Sequence, residues 1–227
     1  MRTSDAPHRN LLAAVPQELA GRLFAKARPT RIAAGQALFV AGEPGTGCYR
    51  VEQGLLKVSA LSPSGSERIL AIVGPGSVVG ELSLLDAGPR SATVVAVRDC
   101  ELSFVSRGEF EAFAEEHPQV YKHLLTLLAQ RLRNTNVVVA AASFLSLKGR
   151  VARSLLDLAE AFGHEVGAGR VLIRQKISQS DLAAMAGIAR ENVSRILNDW
   201  KRHNVVTRLA GYYCLEDRTA LEREAEL

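Results

Sequence analysis

The chain has 227 residues, of which 47% are hydrophobic and 5% aromatic, and it carries a formal net charge of +4. This length suits one large domain or two modest ones. No stretch approaches the roughly 18 apolar residues of a membrane span, and the apolar start of the chain is broken at residues 16–18, which argues against a signal peptide. The cysteines are isolated from one another, so neither a disulfide framework nor a metal-binding pair is expected. We therefore expect a soluble, cytoplasmic protein without a metal site.

The first part of the chain changes from a helical to a β-like pattern. Apolar side chains at helical spacing predict a short amphipathic helix over residues 11–27. From Arg31 to Arg107, short runs of Val, Ile, Leu and Phe alternate with Gly and Pro, and Ser64-Gly65 and Pro75-Gly76 are good turn dipeptides. Short strands separated by frequent turns predict a small antiparallel barrel or roll.

A long helix is predicted after the β-region. Neither Gly nor Pro interrupts the chain from Gln119 to Ser146. One face repeats at alternating spacings of three and four, which is the seam of a two-stranded coiled coil. The seam residues are Leu125, Leu128, Leu132, Thr135, Val139 and Ala142. Because so long a helix is poorly covered by one small roll, we expect a homodimer; the alternative is packing against the helix's own domain.

The last third of the chain predicts a helix-turn-helix and a hairpin. A helix over 147–162 is followed by the Gly-rich loop Gly163–Gly169 and a β-like run at 171–174. Ser178 and Asp181 have the spacing of an N-terminal capping box, and Gly187 would end the first short helix in a tight turn. A second helix from Arg190 and a wing-like hairpin over 205–215 complete the pattern.

Charge and side-chain chemistry indicate that this region binds DNA. Residues 170–208 contain eight Lys or Arg and three Asp or Glu, a net charge of +5 that suits phosphate contact. The second helix presents Arg190, Glu191, Ser194 and Arg195 near its start, where a recognition helix contacts base edges. The alternative is a Glu191–Arg195 ion pair one turn apart, which is compatible with a DNA-reading role. Tyr212 and Tyr213 are expected to pack the hairpin.

The segment Gly80–Thr93, called the cassette below, carries the second functional signal. Its sequence is GELSLLDAGPRSAT. Gly80 permits close backbone approach, Glu81 is suited to accept a hydrogen bond from a sugar hydroxyl, and Arg90 is a countercharge for a phosphate. A structural ion pair between Glu81 and Arg90 is the alternative interpretation.

This string resembles the phosphate-binding cassette of cyclic-nucleotide-binding domains, in which G-E-L-(A/G)-L leads to R-(A/S/T)-A. Ser83 departs from the usual Ala or Gly. The resemblance implies that Glu81 binds the ribose 2′-hydroxyl and that Arg90 and Ser91, with nearby backbone N–H groups, hold the cyclic phosphate. The implied ligand-binding residues are Gly80, Glu81, Leu82, Ser83, Arg90, Ser91, Thr135 and Asn136.

From about residue 30 to 215 the chain is similar to the CRP/FNR family of transcription regulators. The features that carry this similarity are Gly42-Glu43, Gly54 and Gly76, the long helix, the segment Phe144–Leu147, and Arg190-Glu191 with Arg195-Ile-Leu. The family implies a dimer in which Thr135 contacts the purine from its own subunit and Asn136 from the partner. Asn136 stands where Ser is common, so the base preference stays open.

The same similarity implies the DNA contacts and the domain plan. The implied DNA-binding residues are Arg190, Glu191, Asn192, Ser194 and Arg195, while Ala189 and Asn192 depart from the commoner Ser and Thr. The loop Gly163–Gly169 would contact RNA polymerase by analogy. The expected domains are a cyclic-nucleotide-binding β-roll at 1–117, a dimerisation helix and hinge at 118–147, and a winged helix-turn-helix at 148–227.

The sequence thus predicts an α+β protein that regulates transcription as a homodimer on palindromic double-stranded DNA, with cyclic AMP as effector. Cyclic GMP, another effector, or constitutive DNA binding with the same fold are the alternatives. Cys48, Cys100 and Cys214 are too scattered for the iron–sulfur centre of the redox-sensing branch, and the five histidines form no pair at a useful spacing for haem. No catalytic set or nucleotide-triphosphate loop is visible, so an enzyme is not expected.

Overall fold

The structure is a computed structural model that describes residues 17–226, apart from the side chains of Gln17, Leu127, Gln130, Arg131 and Asn134. The described chain forms two compact units, an N-terminal unit that ends at Leu132 and a C-terminal unit that begins at Arg133. The division falls inside one long helix. The predicted domains, with boundaries after residues 117 and 147, instead treat the long helix as a separate third part.

The N-terminal unit contains an antiparallel sheet flanked by helices. Its elements in chain order are α1 (Gln17–Phe24), β1 (Arg28–Ile32), β2 (Ala37–Phe39), β3 (Gly47–Leu61), β4 (Glu67–Val73), β5 (Val78–Val79), α2 (Leu82–Leu85), β6 (Thr93–Ser106), α3 (Arg107–Glu116) and the start of α4 (Gln119–Phe144). The strand order is β1-β6-β3-β4, with β2 paired to β6 and β5 paired to β3. All these pairs are antiparallel, which confirms the predicted roll.

Two apolar clusters hold this unit together. One lies within the roll, where Val51, Leu56 and Leu102 are almost completely buried. The other joins α1, α3 and the start of α4 to the sheet through residues such as Phe24, Phe110 and Val120. The register between β3 and β6 shifts at three points along the middle of β3. Such irregularities increase the local bend and twist of a strand pair, which is consistent with a rolled sheet.

The C-terminal unit continues from α4 into a helical domain with a small sheet. Its elements are α5 (Leu147–Phe162), β7 (Gly163–Glu165), β8 (Val171–Ile173), α6 (Gln179–Ala186), α7 (Arg190–Arg202), β9 (Val206–Leu209), β10 (Tyr212–Leu215) and α8 (Arg218–Glu224). The sheet order is β7-β8-β10-β9. The helices and the sheet share a core in which Leu155, Leu182 and Trp200 are buried.

The predicted elements are found, with some differences in bounds and in the short elements. The first helix ends at Phe24 instead of residue 27, because the chain turns there and enters β1, which pairs with β6 from Arg28 onward. The N-terminal part of that predicted helix lies outside the described residues. The start of the predicted loop 163–169 is strand β7, and α8 was not predicted. The long helix and the helix over 147–162 are confirmed.

Candidate functional site

The cassette connects β5 to β6 and contains the single-turn helix α2. Gly80 follows β5 with φ +79°, a left-handed conformation that strongly favours glycine. A Cβ atom at this position would lie 2.2 Å from Nη1 of Arg90. Glycine therefore serves two purposes at residue 80, because it permits the turn into α2 and leaves room for the Arg90 guanidinium beside the backbone.

Arg90 is the central charged group of the cassette. Its side chain is buried, with 5% of the residue exposed, and Nη1 donates to the carbonyl oxygens of Gly47 at 2.7 Å and Gly80 at 3.0 Å. The guanidinium carbon lies 4.2 Å from the centre of the Phe39 ring. Burial lowers the pKa of Arg90 from its ordinary value, and neighbouring Tyr49, Cys48 and acidic groups oppose that shift. A guanidinium nevertheless stays protonated in proteins.

One donor of Arg90 is suited to an anionic ligand. The buried Nε of Arg90 makes no hydrogen bond to any of the described residues. A buried donor without a partner costs free energy, and the guanidinium fork matches two oxygens of a phosphate. The donors present therefore fit a phosphate group.

The other cassette residues surround this arginine with polar groups. Glu81 and Ser83 are buried, and Oγ of Ser83 lies 3.5 Å from Nη1 of Arg90. Leu82 is half-buried and Ser91 is exposed. Buried polar groups concentrated in one short segment are more typical of a ligand site than of a packed core.

Six of the eight predicted ligand-binding residues belong to the cassette, which lies in the N-terminal unit. The remaining two, Thr135 and Asn136, belong to the C-terminal unit and have exposed side chains on α4. Two residues around the cassette were not predicted from the sequence: Phe39, which stacks on Arg90, and Arg107, which donates to the backbone of Ser83. Neither residue belongs to a recognisable motif.

The helix-turn-helix has the predicted local geometry. Ser178 Oγ accepts from the backbone N–H of Asp181 at 3.0 Å and donates to that carboxylate at 2.6 Å, so the predicted capping box is confirmed. Gly187 ends α6 with φ 65°, and α7 begins at Arg190. This tight connection fixes the start of α7 relative to α6.

The second helix separates an apolar from a polar face. Val193, Leu197 and Trp200 are buried. The predicted DNA-binding residues are on the remaining surface: Arg190, Glu191 and Arg195 are exposed, and Asn192 and Ser194 are half-buried. In the described structure Arg195 donates to the Asn192 side chain three residues earlier and not to Glu191.

Two basic side chains lie against aromatic rings of the wing, Arg208 from β9 and Lys176 from the connection between β8 and α6. Nζ of Lys176 is 5.3 Å from the centre of the Tyr212 ring, and the guanidinium carbon of Arg208 is 5.1 Å from that of Tyr213. Tyr213 is buried, which confirms that it packs the hairpin. Lys176 and Arg208 contribute to the basic charge of residues 170–208, but no sequence motif marks either of them as a DNA contact.

The described residues hold neither a disulfide nor a cluster of metal ligands. All three cysteines are free, and Cys48 and Cys100 are buried. Burial, reinforced by the charge of Glu81, raises the pKa of Cys48 to about 12. Across residues 17–226, no group of three or more His, Cys, Asp or Glu side chains is arranged to hold a metal ion. No helix in that range is both long and apolar enough to cross a membrane.

Comparison with known proteins gives matches in both units. Residues 29–117 match the family model described as cyclic nucleotide-binding domain, and residues 149–224 match the Crp-like helix-turn-helix domain. The chain is 32% identical to the CRP-like cAMP-activated global transcriptional regulator of Mycobacterium tuberculosis over 199 residues, 88% of this chain and 85% of the relative. It is 37% identical to the cyclic AMP receptor protein of Thermus thermophilus over 191 residues, 84% and 85% of the two chains.

Solved structures of transcription regulators also match this chain. A transcriptional regulator of the CRP/FNR family from Thermus thermophilus matches with a TM-score of 0.71 at 28% identity. The match covers 88% of this chain and 99% of the other. The catabolite activator protein of Thermus thermophilus is 33% identical over 95% of this chain and 97% of its own, with a TM-score of 0.53.

Proposed function

Because the chain belongs to the CRP/FNR family of DNA-binding transcription regulators, we propose that it acts as a homodimer whose affinity for DNA is controlled by cyclic AMP. The predicted family, the fold class and the function of a DNA-binding regulator with a cyclic-nucleotide-binding domain are confirmed. The choice of nucleotide, the binding residues and the mode of action are the proposal.

The buried guanidinium of Arg90 is the observation that carries the choice of ligand. A cyclic phosphate would accept a hydrogen bond from Nε, the donor that has no acceptor among the described residues. Ser91 and the backbone N–H groups of residues 80–83 would supply further donors, and the buried carboxylate of Glu81 would accept from the ribose 2′-hydroxyl. Relatives named as cAMP-activated regulators support adenine as the base.

The exposed apolar face of α4 supports the homodimer. Leu125, Leu132 and Val139 are 66%, 64% and 58% exposed and lie seven residues apart on the predicted seam. A repeat of seven is the spacing at which two helices cover one another's apolar residues. A second copy of the chain would bury this stripe and bring Thr135 of one copy and Asn136 of the other to the purine.

The DNA-binding role is assigned to the exposed start of α7 and the wing. Arg190 and Arg195 would donate to guanine, and Glu191 would accept from cytosine. Asn192 and Ser194 would add polar contacts, and Lys176 and Arg208 would contact phosphates without reading sequence. Two copies related by a two-fold axis would bind palindromic half-sites about one helical turn apart. The loop Gly163–Gly169 is assigned to contact with RNA polymerase.

Calorimetric titration with cyclic AMP, and in parallel with cyclic GMP, tests the effector. We expect saturable binding of cyclic AMP that Arg90→Ala abolishes. The matched control is Arg31→Ala, because Arg31 is an arginine of the same unit whose side chain is 82% exposed and pairs with Glu101. Binding of cyclic GMP alone would assign the other base, and binding of neither nucleotide would refute the proposed effector.

The gating and the base contacts are tested on DNA selected from a random pool. We expect cyclic AMP to raise DNA affinity, because a ligand shifts an equilibrium only towards the state it binds better. Arg195→Ala should relax the preference at one position of each half-site, while the exposed Arg218→Ala on α8 should not. DNA affinity that is high and unaffected by nucleotide would favour constitutive binding.

A further inference from the structure

Arg107 makes an unusual set of contacts with the backbone of the cassette. The side chain of this first residue of α3 is half-buried. Its Nε donates to the carbonyl oxygen of Ser83 at 3.0 Å, and its Nη2 donates to the same oxygen at 2.5 Å and to the carbonyl oxygen of Gly45 at 3.1 Å. One guanidinium thus joins two segments of the phosphate site.

The carbonyl of Ser83 has a physical need for such a donor. Helix α2 is a single turn, Leu82–Leu85, and the last carbonyls of a helix have no donor within the helix. The Ser83 side chain points to the other arginine, because Oγ lies 3.5 Å from Nη1 of Arg90. Ser83 therefore lies between Arg90, which faces the proposed ligand, and Arg107, which holds the backbone.

Gly45 brings the second segment into direct contact with α2. A Cβ atom at Gly45 would lie 1.9 Å from Oγ of Ser83, so the Ser83 side chain packs directly against the backbone of Gly45 and leaves no room for a side chain there. The loop that contains Gly45 also fixes Arg90. The carbonyl of Glu43 accepts from the Arg90 backbone N–H at 2.8 Å, and that of Gly47 accepts from its Nη1 at 2.7 Å.

Hydrogen bonds also fix the start of α3, which carries Arg107. Ser106 and Glu109 form a capping box at the start of α3, with Ser106 N–H donating to the carboxylate at 2.7 Å. The backbone N–H of Arg107 donates to the carbonyl of Thr46 at 2.9 Å. The guanidinium therefore connects a rigid helix start to α2 and to the loop that holds Arg90.

We propose that Arg107 is a positioning residue for the nucleotide phosphate. By holding the carbonyls of Ser83 and Gly45 together, it fixes the distance between α2 and the loop before β3, and with it the position of Arg90. This inference rests on the proposed function, since it assumes that the cassette binds a cyclic nucleotide. Arg107 contacts the protein backbone and is assigned no contact with the ligand.

Calorimetry with cyclic AMP on the full-length Arg107→Met variant tests the proposal. Methionine keeps an unbranched side chain of similar reach but donates no hydrogen bond. We expect a dissociation constant at least about tenfold above that of the wild type, because hydrogen bonds from a charged donor to two carbonyls are lost. Arg31→Met, the matched control, should bind as the wild type does. Arg107→Lys keeps the charge without the planar fork and should fall between the wild type and Arg107→Met.

A double-mutant cycle separates positioning from general stabilisation. If Arg107 acts through Arg90, Arg90→Lys combined with Arg107→Met should weaken binding by less than the product of the two single effects. A purely structural residue would lower the melting temperature without nucleotide and leave the dissociation constant of the folded protein unchanged, which would overturn the inference. If Arg107→Met does not fold, Arg107→Lys with wild-type affinity would overturn it equally.

The same titrations distinguish this inference from the proposed function. A wild-type protein that binds neither cyclic AMP nor cyclic GMP would refute both. A second outcome is that the wild type binds cyclic AMP, Arg90→Ala does not, and Arg107→Met and Arg107→Lys bind as the wild type does. This outcome would leave the proposed function standing and refute the positioning role alone.

Discussion

Gly80→Ala is expected to disable the phosphate site by displacing one side chain. Gly80 has φ +79°, and its added Cβ would lie 2.2 Å from Nη1 of Arg90. The next nearest groups are the guanidinium carbon of Arg90 at 3.1 Å and the carbonyl oxygen of Gly47 at 3.3 Å. Because the guanidinium ends a flexible side chain, Arg90 is the group that moves, and it loses its bonds to Gly47 and Gly80.

The matched control for this variant is Gly65→Ala. Gly65 lies in the β3–β4 turn with φ +82°, and a Cβ atom there would meet nothing within 4 Å. Both variants incur the left-handed backbone cost of about 1–2 kcal/mol. Only Gly80→Ala also breaks charge-assisted hydrogen bonds, so its free energy of unfolding should be about 1.5–3 kcal/mol lower than that of Gly65→Ala.

Urea unfolding measures the expected loss of stability in Gly80→Ala, and calorimetry measures the expected loss of affinity for the nucleotide. Gly80→Ala should bind cyclic AMP roughly 10- to 100-fold more weakly than the wild type, because a displaced Arg90 no longer donates to the phosphate. Gly65→Ala should bind as the wild type does. Folded Gly80→Ala with wild-type affinity, and with a stability equal to that of Gly65→Ala, would refute the predicted displacement of Arg90. Wild-type affinity despite the larger loss of stability would refute the assignment of Arg90 as the phosphate-binding group.

Three further predictions concern stability and reactivity. Ser178→Ala removes the cap of α6 and should lower the free energy of unfolding by about 1 kcal/mol in urea; an unchanged midpoint would contradict this. Hydrogen bonds from Ser106 lower the pKa of Glu109, so its stabilising effect is complete above the ordinary value of 4.5 and is lost as pH falls through the lowered value. The stability difference between wild type and Glu109→Gln should therefore shrink in acid, and a constant difference would exclude the capping role. Burial raises the pKa of Cys48 to about 12, so a thiol reagent should label the half-buried Cys214 first; equal rates would count against that burial.

The helices and the turns were predictable because their signals are local. Helix α4 begins just after Pro118 and α5 ends just before Gly163, so Gly and Pro mark bounds that apolar spacing alone leaves uncertain. The capping box at Ser178 and the positive φ of Gly187 likewise depend on residues a few positions apart. Such features need no knowledge of the tertiary structure.

The elements that were missed depend on distant partners. All three residues of β7 are exposed, so the strand shows no alternation, and it exists because it pairs with β8. Helix α8 has seven residues, too few for a clear helical period, and is fixed by the buried Leu221. A short helix of this kind is stabilised by packing more than by its own propensity.

In the cassette, too, the groups that could not be predicted from the sequence are those that depend on distant partners. The side-chain donor Arg90 and the side-chain acceptor Glu81 can be predicted from the sequence, because their residue types are chemically distinctive. The groups that position Arg90 are backbone carbonyls, which every residue has, so no residue type marks them. Arg107 reaches two such carbonyls, 24 and 62 residues earlier in the chain. In the sequence it resembles Arg31, and only the fold distinguishes an arginine that holds the phosphate site from one that is exposed to solvent. If the double-mutant cycle couples Arg107 to Arg90, residues that donate to backbone carbonyls belong to the binding site as much as those that would touch the ligand.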